Sequence, residues 1–387
     1  MRKILYITGT RADYGPARRL LKLIHDHAYF ELGILVTGMH LDPTHGETWT
    51  EIEEDGLNIV EKVAGRLVGD SLSYMSASIG LYLYGMSFAV ERYCPDIVLV
   101  LGDRGEQLTG AMAGAFQNIT VVHLAGGTIS GSIDDSIRHA ITKFAHYHFP
   151  GFEEASKRII QMGEQPDHVK VVGLPGGDIK SDVTYTKKQI CEKYKIPEEE
   201  PYILVIQHAV TQSQSESAKQ IIETLEAVAS LKFAVFLANP NDDAGGMEIL
   251  TKMNEYAAKY TCLKILKPPK SRELFASVMA HADVLVGNSS SGIVEAMSVQ
   301  TPVVNIGDRQ KGRESLSFLL NVDYKKEEIV KAIKKALDDL DYFERFKSFS
   351  SSGIISNTEE LIINELEIMD LSLSMKPKFF HEFNHGE

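Results

Sequence analysis

The chain has 387 residues, of which 44% are hydrophobic and 24% are charged. A chain of this length is too long to fold around one ordinary hydrophobic core, which favours two α/β domains. The formal net charge of -13 argues against nucleic acid or an anionic membrane as a partner, so a phosphate site requires a local cluster of cationic and backbone N–H groups. The three cysteines form no CxxC pair, and no segment approaches the ~20 apolar residues that span a bilayer. We therefore expect a soluble cytoplasmic protein.

Short apolar runs alternate with helical patterns along the chain. The first runs predict buried strands at 3–8, 32–37, 96–102, 119–124 and 169–173. A second set predicts strands at 202–207, 233–238, 262–266, 283–287 and 302–307. Helix-like periodicity occupies intervening stretches such as 16–27, 105–116, 136–146, 153–162, 215–231 and 247–259. This alternation with near-continuous apolar strands predicts parallel sheets covered on both faces.

Two such series predict two Rossmann-like domains that face each other across a ligand cleft. Pro and Gly interrupt the apolar pattern near 174–189, which sets the expected domains at 1–178 and 179–350. Residues 351–387 are expected to form a C-terminal helix at 358–371, which packs back on the N-terminal domain, and a loosely held tail.

Polar motifs follow two predicted strands of the first domain. GTRADYG at 9–15 joins a strand to a helix whose N-terminus can bind an anion, with Arg11 and Asp13 as candidate substrate contacts. The string lacks the GxGxxG pattern of dinucleotide-binding turns. The alternative to an anion site is an ordinary strand-to-helix turn with Asp13 as the helix N-cap. LGDRGE at 101–106 places Asp103 at a strand tip as a candidate base, for which helix capping is the alternative.

The segment 121–149, VVHLAGGTISGSIDDSIRHAITKFAHYHF, combines acid/base and cationic groups at a strand-to-helix transition. Such a set suits a reaction that removes a proton while a phosphate departs, although the paired aspartates are also plausible helix caps. The histidines at 139, 146 and 148 fit no standard zinc pattern, so no metal is expected. The candidate residues of this segment are Asp134, Asp135, Arg138 and Lys143.

Three motifs of the second half suit anion binding. VIQHAVT at 205–211 ends a strand at His208, a candidate for phosphate binding or proton donation as well as for a structural role. VGNSSSGIVEA at 286–296 opens a helix whose free N–H groups and hydroxyls can cradle a pyrophosphate, unless the serines only cap that helix. NIGDRQKGR at 305–313 is a phosphate clamp or a solvated charge run. The candidate residues of the last two motifs are Ser289, Ser290, Ser291, Gly292, Glu295, Arg309 and Arg313.

Together these motifs resemble the UDP-N-acetylglucosamine 2-epimerase family, and more closely its hydrolysing branch, which feeds sialic-acid-type sugar synthesis. They run from residue 9 to residue 313 in the family's order, whereas the non-hydrolysing branch has GTRPE and a GGIQEE-like string that this chain lacks. The resemblance implies a GT-B-like pair of Rossmann domains, with UDP held mainly by the C-terminal half. It also implies that no cofactor is used and that the protein is a homodimer or homotetramer.

The resemblance further implies the reaction UDP-N-acetylglucosamine plus water to N-acetylmannosamine plus UDP. Anti elimination of UDP across C1–C2 gives a glycal; water then adds at C1 while C2 is reprotonated on its other face. The C2 proton is weakly acidic, so its removal has to be coupled to the departure of the diphosphate, and cationic residues stabilise the developing charge. Asp103 and Asp134 fall on the family's acid/base positions, and Arg138 and His208 on phosphate-side or proton-transfer positions. Asp135 is adjacent to Asp134. Ser290, Ser291 and Glu295 fall on the family's pyrophosphate and ribose positions. Arg11 and Arg313 fall on positions that make further contacts to the anion.

One departure from the family concerns HLAGGT at 123–128, where hydrolysing members read HxHGGE. Ala125 and Thr128 stand in this string, so the carboxylate expected at 128 is missing. Either Asp134 or Asp135 takes that role, or the substrate is UDP-2,4-diacetamido-2,4,6-trideoxy-glucose of the legionaminic type. A non-hydrolysing epimerase, a GT-B glycosyltransferase and a nucleotide-sugar-binding regulator without turnover are the competing hypotheses.

Overall fold

The computed structural model describes residues 1–67, 72–210, 215–241, 243–266, 272–289, 291–310, 319–352, 355 and 357–382. The chain divides into two compact units. The first comprises Met1–Thr128, Asp134–Gly176 and Ile355–Glu387, and the second comprises Ile129–Ile133 and Gly177–Ile354. None of the described helices is long and apolar enough to cross a membrane.

Each unit contains a six-stranded sheet in which all pairings are parallel. The strands of the first sheet are β1 (Arg2–Thr8), β2 (Phe30–Thr37), β3 (Ile59–Val63), β4 (Ile97–Leu101), β5 (Thr120–Leu124) and β6 (Tyr147–Phe149). Those of the second are β7 (Tyr202–Ile206), β8 (Ala234–Ala238), β9 (Leu263–Leu266), β10 (Val284–Gly287), β11 (Val303–Ile306) and β12 (Leu320–Val322).

The strand orders are β3-β2-β1-β4-β5-β6 and β12-β11-β10-β7-β8-β9, so the same doubly wound topology occurs twice. The prediction of two Rossmann-like halves is therefore confirmed. In each sheet the direction of winding reverses beside the first strand, at β1/β4 and at β7/β10, where ligands of such sheets usually bind.

The first sheet is accompanied by α1 (Arg11–Asp26), α2 (Trp49–Glu54), α3 (Leu72–Tyr93), α4 (Gly105–Phe116), α5 (Ile133–Phe144) and α6 (Glu153–Gln161). The second sheet is accompanied by α7 (Lys187–Tyr194), α8 (Ser217–Ser230), α9 (Gly246–Lys259), α10 (Arg272–Ala280), α11 (Ser291–Ser298), α12 (Lys326–Asp338) and α13 (Leu340–Ser352). The chain then returns to the first unit in α14 (Thr358–Ile368).

The strand predicted at 169–173 is wrong. Val169 forms only an isolated parallel bridge with His148, and the run ends at Gly173, whose φ of +93° takes the backbone out of the extended region. Conversely, the apolar pattern did not reveal β3, β6 and β12. Two of these strands have three residues each, and β3 contains a Glu and a Lys, so none is an unbroken apolar run.

The expectation of a loosely held tail is wrong for its described part, 372–382. The Lys378 Nζ atom donates hydrogen bonds to three backbone carbonyls near the end of α5, at distances of 2.5 to 3.1 Å. The His381 N–H donates to the Gly163 carbonyl at 2.8 Å, and the Gln165 amide donates to the Phe379 carbonyl at 3.3 Å. Charged and backbone groups therefore fasten a segment whose apolar content gave no sign of packing.

The helix α14 completes the core of the first unit. Its residues Ile362 and Leu366 are buried in the same apolar cluster as residues of α1, β1 and β2. The Arg2 Nη1 atom donates to the carbonyls of Leu366 and Met369, each at 2.9 Å, which fastens the end of α14 to the start of β1. The C-terminal helix is thus part of the N-terminal unit's folded structure.

Replacing Leu366 by Ala should lower the free energy of unfolding by about 3 kcal/mol, because it deletes fully buried methyl groups and leaves a cavity. Ile368→Ala in the same helix is the matched control, since Ile368 is 75% exposed and should change the value by less than ~0.5 kcal/mol. Urea unfolding can be followed by the fluorescence of Trp49, the single tryptophan, which packs against the same cluster. Equal effects of the two substitutions would contradict this account of α14.

Candidate functional site

A buried arginine joins two carboxylates at the carboxyl edge of the first sheet. Gly102, with a φ of +81°, turns the chain after β4 and leaves Asp103 at the strand tip. Arg138 from α5 is 1% exposed and forms an ion pair with Asp103 and a second, longer one with Asp135, whose Oδ1 lies 3.5 Å from Nη1. The guanidinium also donates to the Thr128 carbonyl at 2.8 Å. Three of the predicted catalytic residues are therefore brought together.

Asp134 and Asp135 both lie in the first turn of α5, where the helix dipole favours negative charge. One turn later, the Nε2 atom of His139 lies 3.5 Å from the Asp135 carboxylate. Burial lowers the pKa of His139, although Asp135 opposes this shift, so the imidazole is held mainly neutral. The Nδ1 atom of His139 is buried without a partner among the described residues. The motifs did not single out His139 as catalytic, although it shares a helix turn with the residues that they did.

The loop after β5 is closely packed at the position where the family carboxylate is missing. Ala125 has a φ of +59°, a strained conformation for a residue with a Cβ atom. Gly127 has a φ of +78°, and a Cβ atom there would lie 2.4 Å from the Ala155 carbonyl oxygen. The carbonyls of Gly127 and Thr128 accept hydrogen bonds from Arg158 and Arg138, at 2.5 and 2.8 Å. Two arginines thus fix the backbone of this loop.

The predicted substrate contacts Arg11 and Asp13 have protein partners. Thr10, not Asp13, is the N-cap of α1, and Asp13 is the reciprocal residue of a capping box. The Asp13 carboxylate is buried and accepts hydrogen bonds from Thr8 Oγ1 at 2.5 Å and Gln107 Nε2 at 3.0 Å. Burial raises the pKa of Asp13, while the Thr8 hydrogen bond acts in the opposite direction. Arg11 is paired with Glu51. Among the described contacts, none joins Arg11 or Asp13 to Asp103.

Lys143 lies near the opposite end of α5 from Asp134. Its Nζ atom is 2.6 Å from the Glu164 carboxylate and 3.1 Å from the Met162 carbonyl oxygen. These contacts orient Lys143 toward the end of α6, and no described contact joins it to Asp103 or Arg138.

In the second unit, the fully buried side chain of Asn288 connects the ends of two strands. Its Oδ1 atom accepts from the His208 backbone N–H at 2.7 Å, and its Nδ2 atom donates to the His208 carbonyl at 2.9 Å. The backbone carbonyl of Asn288 accepts from Arg309 at 3.2 Å and from Gln310 at 2.8 Å. Sequence reasoning missed Asn288, although it stands between the strand and the serine turn in GNSSSG.

This arrangement places an imidazole beside the serine turn. The His208 Nδ1 atom accepts from the Asn241 backbone N–H at 3.0 Å, so in the neutral ring the hydrogen is on Nε2. That Nε2 atom lies 3.3 Å from Ser289 Oγ. His208 therefore presents an N–H donor next to the turn that opens α11.

The remaining predicted residues of the second unit differ in their surroundings. Arg309 has Nη2 3.8 Å from the Asp243 carboxylate, in addition to its bond to Asn288. Glu295 is paired with Arg272 at 3.1 Å, and Arg272 also donates to Asp182 at 2.8 Å. Ser291 and Gly292 begin α11, but the side chain of Ser291 is outside the described part, and Ser290 and Arg313 are outside it entirely.

A cavity of about 200 Å³ lies in the second unit next to Arg309. Its walls combine an aromatic ring, an apolar side chain, carboxylates and backbone at glycines. They include Gly131, Val210, Gly307, Asp308, Arg309 and Tyr324. Across the described residues, no group of three or more His, Cys, Asp or Glu side chains is arranged to hold a metal ion.

The sequence profile of the UDP-N-acetylglucosamine 2-epimerase family matches residues 22–367. The chain belongs to this family. It is 39% identical over 339 residues to a hydrolysing UDP-N,N'-diacetylbacillosamine 2-epimerase of Legionella pneumophila, covering 87% of this chain and 89% of the relative. It is 33% identical over 378 residues to a UDP-N-acetylglucosamine 2-epimerase of Neisseria meningitidis, covering 96% and 97%.

The fold is also that of solved members of the family. A UDP-GlcNAc 2-epimerase from Neisseria meningitidis, crystallised with UDP-GlcNAc, superposes with a TM-score of 0.81 over 94% of this chain and 99% of that chain. Their sequences are 17% identical, so this likeness concerns the fold. The family membership predicted from the motifs is confirmed.

Asn288→Ala should loosen the end of β7, because it leaves the partly buried backbone N–H and carbonyl of His208 without their partner. The expected loss in free energy of unfolding is at least ~2 kcal/mol, with faster amide hydrogen exchange across 205–210 measured by mass spectrometry. Asn254→Ala is the matched control, because that amide lies on the exposed side of α9. Unchanged exchange at His208 in the Asn288 variant would contradict the bridging role.

Proposed function

We propose that the protein is a hydrolysing 2-epimerase, which converts a UDP-linked 2-acetamido sugar and water into UDP and the free sugar with inverted C2. The observation that carries this proposal is the buried Arg138 guanidinium between Asp103 and Asp135. Carboxylates oriented by a buried cation suit proton transfer at a weakly acidic carbon. The family supports an epimerase, and the absence of GTRPE and GGIQEE-like strings supports the hydrolysing branch.

In the first step, we assign Asp103 and Asp134 as the acid/base pair. One carboxylate removes the C2 proton while the bond between C1 and the UDP oxygen breaks, which gives UDP and a sugar with a C1–C2 double bond. The other carboxyl group of the pair is protonated at the outset. In the second step it delivers its proton to the opposite face of C2 as the oxygen of water bonds to C1, and the proton lost by that water restores it. The proton taken from C2 in the first step is released to solvent. Asp135 and His139 stand next to this pair as candidate proton carriers.

The departing diphosphate is assigned to groups of the second unit. His208 presents its Nε2–H beside Ser289, and the first N–H groups of α11 lack helical partners, as at any helix start. Arg309 adds a cationic group next to the cavity. These donors can stabilise the charge that develops on the leaving oxygen. The cavity walls, with the Tyr324 ring and the Asp308 carboxylate, suit part of a nucleotide.

Two features favour UDP-N,N'-diacetylbacillosamine, the 2,4-diacetamido-2,4,6-trideoxy sugar nucleotide, as the substrate. The Legionella relative named for that sugar is 39% identical, compared with 33% for the Neisseria relative named for UDP-N-acetylglucosamine. In addition, Ala125 and Thr128 stand where hydrolysing members have the ionisable residues His and Glu, which is consistent with a less polar sugar. UDP-N-acetylglucosamine, the substrate implied by the motifs, is the second candidate.

Proton NMR of the purified protein in D₂O, with each of the two sugar nucleotides, tests the reaction and the substrate together. We expect UDP and a free manno-configured sugar deuterated at C2, formed faster from the diacetamido substrate. An epimerised UDP-sugar without free sugar would assign the protein to the non-hydrolysing branch. Binding of UDP without turnover of either compound would support a regulator, and transfer to an added acceptor sugar would support a glycosyltransferase.

Asp103→Asn and Asp134→Asn should each lower kcat by roughly 10²–10⁴, because each removes a group that accepts or donates a proton. UDP affinity, measured by calorimetry, should change little because the nucleotide is assigned to the second unit. Asp26→Asn, an exposed substitution in the same unit, is the control. Full turnover in both variants would eliminate the proposed mechanism and leave a glycosyltransferase as the better interpretation.

A further inference from the structure

The helix α5, which carries Asp134, Asp135 and Arg138, is capped at its C-terminal end by a side chain from the tail. The Lys378 Nζ atom donates to the carbonyls of Thr142, Lys143 and Ala145 at 3.1, 2.9 and 2.5 Å. These carbonyls belong to the end of the helix, where backbone acceptors lack intrahelical donors and the helix dipole is negative. A single ammonium group from more than 230 residues away therefore satisfies this end of α5.

The ammonium group is held in place by Glu164, which follows α6. The Glu164 carboxylate is 2% exposed and lies 2.7 Å from Lys378 Nζ, 2.6 Å from Lys143 Nζ and 3.0 Å from His148 Nε2. Burial alone would raise the pKa of Glu164, but the His148 hydrogen bond and the two ammonium groups outweigh it and bring the pKa to about 2. The carboxylate is therefore ionised at neutral pH and fixes both lysines relative to β6.

The tail carries Lys378 to this position by contacts with the end of α6. The His381 N–H donates to the Gly163 carbonyl at 2.8 Å, and the Phe380 ring lies against Gly163, where a Cβ atom would be 2.1 Å from it. Phe379 and Phe380 remain 72% and 60% exposed. The tail thus lies on the surface, where polar contacts hold it, and it contributes little to the apolar core.

We propose that Lys378 is a positioning residue for the reaction: through the C-terminal end of α5 it sets the axial position of the helix that carries Asp134, Asp135 and Arg138. This inference rests on the proposed function for its kinetic consequence. Arg138 lies about one helical turn before the first capped carbonyl, so a shift or fraying of the helix end reaches it directly. Proton transfer is sensitive to displacements of about 1 Å, so a small shift of this helix is expected to lower the rate of the reaction.

The test compares Lys378→Met, which removes the ammonium but keeps much of the chain, with Lys378→Arg, which keeps the positive charge and donors. Lys376→Met is the matched control, because Lys376 is a nearby tail lysine that pairs only with the exposed Asp370 among the described contacts. We expect Lys378→Met to lower kcat by roughly 10-fold, with KM and UDP affinity unchanged. Lys378→Arg should restore most of kcat, and Lys376→Met should match the wild type.

Two further measurements separate positioning from general destabilisation. Urea unfolding followed by Trp49 should show a lower midpoint for Lys378→Met, because three carbonyls and the buried Glu164 carboxylate lose a partner, but the variant should be fully folded in the urea-free assay buffer. Hydrogen exchange should increase within 133–144 in that variant. An unchanged kcat would overturn the proposal, and so would a fall in kcat no larger than the unfolded fraction of the variant in the assay buffer. If Lys378→Met does not fold, Lys378→Gln, which retains a neutral donor, is judged by the same criteria.

The exchange measurement also distinguishes failure of this inference from failure of the proposed function. If neither sugar nucleotide is turned over, faster exchange in α5 of Lys378→Met still supports the cap, and only the proposed function fails. If turnover is present and exchange in α5 is unchanged, the cap has no positioning role and the proposed function stands.

Discussion

The first-unit site depends on one buried cation. Arg138 lies 1% exposed at the carboxyl edge of the first sheet and has to be neutralised there, because an unpaired guanidinium in that position would be strongly destabilising. Asp103 and Asp135 supply the neutralising charge, and the Thr128 carbonyl takes a further N–H group. The ion pairs that neutralise the arginine therefore also hold two carboxylates in fixed positions, and acid/base chemistry requires such fixed positions.

In the second unit, the corresponding contacts are made by the side-chain amide and the backbone carbonyl of Asn288. Asn288 pairs with both backbone groups of His208, and its own carbonyl accepts hydrogen bonds from Arg309 and Gln310. In this way Asn288 holds the ends of β7 and β10 through its side-chain amide and the loop after β11 through its backbone carbonyl. The imidazole and the serine turn are then presented by an amide side chain that carries no charge of its own.

Most of the fold could be predicted because its signal is local. Unbroken apolar runs such as those of β4 and β7 identify buried parallel strands, and α4 and α9 follow from their periodicity. The failures have physical reasons: β6 is too short for a pattern, β3 contains charged residues, and the run at 169–173 ends at a glycine with positive φ. The sequence placed Asp103 after β4 and placed Asp135 and Arg138 on the helix that follows β5, and neighbouring parallel strands end at one edge of a sheet. It did not predict the ion pairs that join these three residues.

The sequence by itself determined the doubly wound class of both halves, the family, and the set of polar residues at the strand ends, since all of these depend on local patterns. Only the tertiary structure decided which partner each residue has. Asp13 accepts hydrogen bonds from Thr8 and Gln107, and Arg11 is paired with Glu51. Asn288 bonds the backbone of His208 in the second unit, and Lys378 bonds the carbonyls at the end of α5. Such pairings mostly join residues tens to hundreds of positions apart, and burial and charge neutralisation select them only once the chain has folded.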